Sequence, residues 1–326
     1  MLRAAVCAAV FAGCYSPSYQ DCQFQCSSAM TCPDGLECAA GMCRLEGVSG
    51  PCRTNPGDGG GSGDAPIDTP MAQWSEPEEV LLAGGPWSSP TLNGTLTEIF
   101  LEGPGGVIFR ATRTGNLWTD PVPAQGLEAP NGKRNTSPML SRDGVTMFLG
   151  SDRADSAGAY DVWRIPRPDV TSPFLTAQAS SLAVLNVAIT NENGGSLTAD
   201  EKLILFTSDR NGTASIYQSV YNDTTGGFAP PTLVTQLDSP DDDSHASISA
   251  NGLAVVFASN RLGADYDLYI ATRPDVMAPF STPMRIPEMS MPATPEVDPW
   301  LSADGNTIFF GRGIAQTRKI FRSTRL

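Results

Sequence analysis

Histidine is almost missing: His245 is the only one in 326 residues. That scarcity removes most imidazole-based metal sites and makes any Ser-His-Asp or Cys-His mechanism depend on one residue. Positive charge is also short, with 21 Lys+Arg against 35 Asp+Glu and a formal net charge of −14. A surface that acidic repels phosphate backbones, so nucleic acid is not an expected partner. The apolar run near the N-terminus, Ala4 to Ala12 behind Arg3, is too short to span a bilayer. No Cys-x-x-Cys pair occurs, which argues against structural zinc. What the chain has in quantity is Gly (32) and Pro (27), as expected of many short strands joined by tight turns.

Residues 1–13 read as an export signal. They lead into Phe11-Ala12-Gly13-Cys14, which resembles the lipobox of bacterial lipoproteins, with Phe11 where that family prefers Leu. The resemblance implies cleavage before Cys14, lipidation of that residue and a stable membrane anchor; Tyr15 in place of Asp points to the outer membrane. An ordinary signal peptide cut nearby, with Cys14 in a disulfide, is the other reading. Residues 14–54 hold Cys22, Cys26, Cys32, Cys38, Cys43 and Cys52. An even set in an exported stretch too small to bury a core implies a disulfide framework whose pairing the spacing leaves open. The piece CPDGLECAAGMCR resembles small knottin- or EGF-like modules. Residues 55–73, rich in Gly and Pro, read as a tether.

From residue 74 to 326 one pattern recurs five times. Aligned on Phe100, Phe148, Leu205, Val256 and Phe309, the copies are spaced by 48, 57, 51 and 53 residues. A period near fifty in an all-β pattern predicts the blades of a propeller, each of four antiparallel strands. The inner strands begin at Ser89, Ser137, Gly194, His245 and Asp298, where small residues suit the crowded axis. The second strands, such as KLILF and NTIFF, are apolar throughout and so buried on both faces. Outer strands start at aromatics, Trp118, Phe174, Phe228 and Phe280. Blade 5 runs out of chain after its third strand, whereas Trp74–Leu82 carries an outer-strand signature ahead of blade 1. The expected architecture is therefore an all-β, five-bladed propeller closed by its N-terminal strand, which removes two open edges. The turns Ser151–Arg153, Ser208–Arg210 and Ser259–Arg261, read with third strands such as DLYIATR, resemble the bacterial WD-like repeats of the Tol-system propeller. In blade 5 Gly311-Arg312-Gly313 stands in their place. The recurrent motif reads as a turn in which Asp caps backbone amides and Arg pairs with the next blade; a ligand-facing charge is the alternative.

The loops that lead into the inner strands face the channel mouth, where propellers hold ligands. There the candidates are Lys133, Arg134, Glu192, Asp242, Asp243, His245, Glu296 and Asp298. The acidic set is of the kind that holds Ca²⁺, without a recognised spacing, so no cofactor is expected. His245 reads as a pore-lining polar residue, or as a general base beside carboxylates. Two functions follow. One is a monomeric, non-catalytic scaffold, anchored in the membrane by its lipid, that binds an envelope protein or glycan. The other is a glycosidase using Glu192, Asp243 and Asp298, which requires two of them about 5–10 Å apart in a deep pocket.

Overall fold

The computed structural model describes the strands Phe24–Gln25, Leu36–Ala39 and Met42–Leu45, and residues 73–326 apart from 131, 154, 155, 157, 158 and 264. The expected leader, Cys14, the cysteines other than Cys38 and Cys43, and the tether up to residue 72 lie outside the described residues. The chain divides into two units, Met1–Asp68 and Thr69–Leu326. In the first, Met42–Leu45 is the middle strand of a three-stranded antiparallel sheet, with Cys43 opposite Cys38.

The second unit is a propeller of five antiparallel blades. From axis to rim, blade 1 is Ser88–Leu92, Glu98–Gly103 and Val107–Thr114, and blade 2 is Asn135–Leu140, Thr146–Ser151 and Asp161–Pro166. Blade 3 is Glu192–Leu197, Leu203–Ser208 and Ser215–Asn222, and blade 4 is Asp243–Ile248, Ala254–Ser259 and Asp267–Thr272. Blade 5 is Glu296–Leu301, Thr307–Arg312 and Lys319–Thr324, and its outer strand is Glu78–Glu79. The closure expected from the sequence is thus present, with Glu79 opposite Phe321, Glu78 opposite Arg322 and a bridge from Trp74 to Arg325.

Outer strands are shorter than the pattern suggests. In blades 2 and 4 they are the two-residue segments Ser180–Ser181 and Met284–Arg285. Phe174 and Phe280 lie outside any strand and are instead buried as plugs beneath the third strand's end. The adjacent Pro173 and Pro279 have no amide to donate, which keeps these segments out of a ladder.

No single core fills the disc. Among the described residues five apolar clusters occur, one at each blade junction. Phe100, Leu205, Val256 and Phe309 in the second strands are fully buried because each strand is covered by a neighbouring blade on both sides.

Candidate functional site

Each inner strand carries a β-bulge: the registers skip at Ser88/Thr91, Thr136/Met139, Asn193/Gly195, Ser244/Ser247 and Val297/Trp300. The extra residue turns one position per blade towards the axis. Those residues are Ser89, Ser137, Gly194, His245 and Asp298, all left-handed with φ between 48° and 54°. Only glycine takes that conformation freely, so four of the five blades hold a costly backbone at the same place. The five encircle a void of about 30 Å³, together with Pro90, Pro138, Gly195, Ala246 and Pro299. Such a void has room for about one water molecule.

Polar contacts fix this ring. His245 Nε2 is 3.4 Å from both Ser137 Oγ and Asp298 Oδ1. Asp298 Oδ2 accepts from the Ser89 amide at 3.2 Å and pairs with Arg318 at 3.3 Å. Glu102, from the second strand of blade 1, accepts from Thr136 Oγ1 at 2.7 Å and the Ser137 amide at 3.0 Å. Burial pushes the Glu102 carboxyl above its usual range and the Asp298 charge adds to the rise, while those two bonds and His245 oppose it. A nucleophile relay uses the two imidazole nitrogens on opposite sides. Both partners here meet Nε2, so Ser137, His245 and Asp298 are a clamp across the axis rather than a triad. At the far end of the axis, Arg142 reaches from blade 2 to the carbonyls of Ile248 (2.7 Å) and Leu301 (3.3 Å). Burial lowers its guanidinium to about 10.

The structure separates the eight candidates. His245 and Asp298 belong to the ring. Lys133 and Arg134 are exposed on the loop into blade 2. Asp242 is half-buried, accepting from Tyr266 Oη at 2.9 Å and the Ala214 amide at 3.0 Å. Glu192, Asp243 and Glu296 do not face the mouth: each is fully buried inside its blade against an arginine. The pairs are Arg210–Glu192 at 3.3 Å, Arg261–Asp243 at 2.5 Å and Arg312–Glu296 at 2.8 Å.

These pairs correct the expectation for the Ser-Asp-Arg turn, whose arginine binds within its own blade and not to the next. It also donates to the incoming loop, Arg210 to the Leu185 carbonyl and Arg261 to that of Leu237, and it stacks on Tyr217 or Tyr269. The aspartate does cap amides: Asp209 accepts from Asn191 at 2.8 Å, and Asp152 from Arg134 at 2.6 Å. Arg312 stands two residues earlier in its turn than Arg210 or Arg261, opposite Glu296 in register, yet completes the same arrangement.

Among the described residues, no group of three or more His, Cys, Asp or Glu side chains is placed to hold a metal ion. No helix among them is long and apolar enough to cross a membrane.

No protein-family model and no curated protein matches the chain. Solved structures do. A thermostable family-43 glycoside hydrolase superposes with a TM-score of 0.51 at 10% identity, over 74% of this chain and 89% of that one. The catalytic domain of the Coprinopsis cinerea GH62 alpha-L-arabinofuranosidase gives 0.51 at 10%, over 78% and 96%. A putative TolB from Agrobacterium tumefaciens gives 0.47 at 16%, over 71% of each chain. The likeness is one of fold.

Proposed function

We propose that the protein is a non-catalytic scaffold of the cell envelope, anchored through lipidated Cys14, whose disc binds a protein or glycan partner as a monomer. The observation that supports this is the condition of the carboxylates. Retaining or inverting glycoside hydrolysis needs two of them about 5–10 Å apart beside a sugar. Glu192 and Asp243 are shut inside their blades by arginines, and the space next to Asp298 is about 30 Å³, far below a sugar ring. The ring contacts run blade to blade, as a brace does.

The test runs the full chain against aryl glycosides and arabinan, and in parallel follows its fractionation. The expected outcome is no sugar release above buffer, with the protein in the membrane fraction and Cys14→Ala in the soluble one. Release that disappears in Asp298→Asn and Glu102→Gln would establish a glycosidase and overturn the scaffold reading.

A further inference from the structure

Two segments of the chain are nearly identical. Arg167-Pro168-Asp169-Val170-Thr171-Ser172-Pro173-Phe174 leaves the third strand of blade 2, and Arg273-Pro274-Asp275-Val276-Met277-Ala278-Pro279-Phe280 leaves that of blade 4. They also fold alike. Each arginine Nε donates to a hairpin-glycine carbonyl, Gly144 at 2.6 Å and Gly252 at 2.7 Å. Each guanidinium lies over the closing phenylalanine, 4.7 Å from Phe174 and 4.4 Å from Phe280. Both are buried, at 5% and 9% exposure.

The difference is the counter-ion. Arg167 Nη2 donates to Glu98 Oε2 of blade 1 at 3.0 Å and Nη1 to Oε1 at 3.4 Å. Glu98 stands two residues before Phe100, and the matching position before Leu205 in blade 3 is Leu203. Arg273 Nη2 is accordingly buried without a hydrogen-bond partner among the described residues. Asp275, nearby in sequence, spends its Oδ1 on the Met277 and Ala278 amides, both at 2.9 Å. Burial lowers the Arg273 guanidinium below its usual range, with Asp275 acting the other way. An unpaired buried guanidinium edge is costly, and the fold accepts that cost here but not in blade 2.

Arg273 lines an open groove of about 650 Å³ between blades 3 and 4, against about 420 Å³ for the groove of Arg167. Leu203, Val220, Val276, Met277 and Phe280 give it an apolar wall. Met277 is 90% exposed at its lip, where blade 2 has the hydroxyl of Thr171. That volume lies in the range of small-molecule sites, which pair apolar walls with few polar groups.

We propose that this groove binds a small apolar monocarboxylate, its chain on the Leu203–Phe280 wall and its carboxylate taking the place on Arg273 that Glu98 takes on Arg167. Two cations line the groove, but Lys202 is already paired with Asp223 and Asp200 stands in the same lining, so the unpaired edge of Arg273 calls for a single negative charge; a dianion would leave uncompensated charge in a largely apolar groove. The blade 1–2 junction shows that a carboxylate fits this arginine environment. The inference goes beyond the scaffold reading and does not rest on it, since the groove shares no residue with the axial ring.

The full chain is titrated calorimetrically with hexanoate, decanoate and 4-phenylbutyrate, each below its micellar concentration, and with decan-1-ol. Saturable binding of at least one carboxylate is expected, with decan-1-ol at least about tenfold weaker than decanoate. Arg273→Gln removes the cation and Leu203→Glu supplies the internal counter-ion; both should weaken carboxylate binding by at least about tenfold. Thermal melts of the unliganded variants establish folding, and if either fails, the other and the decan-1-ol comparison decide. No saturable carboxylate binding to the wild type, equal binding of decan-1-ol, or unchanged binding in a folded variant overturns the proposal.

Discussion

Three buried carboxylates open the inner strands of blades 3, 4 and 5, but they do not meet the same donors. Glu192 receives Ser208 Oγ, Thr190 Oγ1, the Val187 amide and Arg210. Glu296 receives Arg312 and the Met291 amide. Burial outweighs these two partners and pushes Glu296 up to about 7, against Arg312 and Met291. The sign follows from linkage: between the ordinary value of 4.5 and about 7 the folded chain holds a proton that the unfolded chain has lost. This group's stabilisation is therefore full below the lower value and disappears as pH rises through the higher, a change of about 3 kcal/mol at roughly 1.4 kcal/mol per pH unit. Urea unfolding of Glu296→Gln across that window should show a shallower loss of stability than wild type; parallel curves would refute the assignment. At this scale the sequence was partly informative. Ser89, Ser137, Gly194, His245 and Asp298 share one column once the repeats are aligned, because the bulge falls at the same step in each blade. Glu102 gives no such signal. It occupies the place of Gly150, Thr207, Ala258 and Gly311, and only the packing of blade 1 on blade 2 turns it towards Ser137.

Among the elements, the segment from Trp74 to Glu79 makes the least ladder for the most packing. Its regular pairing is two residues long, yet Trp74 is 4% exposed and packs with Leu268, Ile286, Met289 and Phe310 at the junction of blades 4 and 5. Ser75 adds an amide bond to the Thr324 carbonyl at 2.8 Å, and Val80 one to Ile320 at 2.8 Å. Trp74→Ala should cost about 3–5 kcal/mol. For a domain of this size that lowers the melting temperature by on the order of 10 °C. A scanning-calorimetry shift of only about a degree would mean that the seam is held by the backbone bonds alone. The closing strand was legible because its aromatic-Ser-x-Pro signature matched a strand that blade 5 lacks. The extent of the outer strands was not: Phe174 and Phe280 look like strand starts in a linear pattern, and only their burial beneath Arg167 and Arg273 shows them to be plugs.

For the disc as a whole, blade count was readable from period and apolar runs, since each second strand must be covered on both sides whatever its partner. The burial of the inner-strand acids was not, because the arginine paired with each lies 16–18 residues away, at the end of the second strand or in the turn after it. The two ends of the ring meet: the Leu326 amide donates to the Gln73 carbonyl at 2.8 Å. A circular permutant that joins 326 to 73 through a short linker and opens at the exposed turn 223–226 should keep the fold, as adjacent termini and exposed turns allow. Its circular-dichroism melt is expected within about 5 °C of wild type, given the few kcal/mol such a cut disturbs; an insoluble product would contradict the seam. That seam also orders events in time. A chain made from its N-terminus produces Trp74 and Glu78–Glu79 before anything they pair with, and their partners arrive only after the rest of the disc exists. Any chain cut short before the third strand of blade 5 therefore carries the same mark, an unclaimed strand edge at Glu78–Glu79. Proteases and chaperones read such marks without reading sequence, so the disc certifies its own completeness.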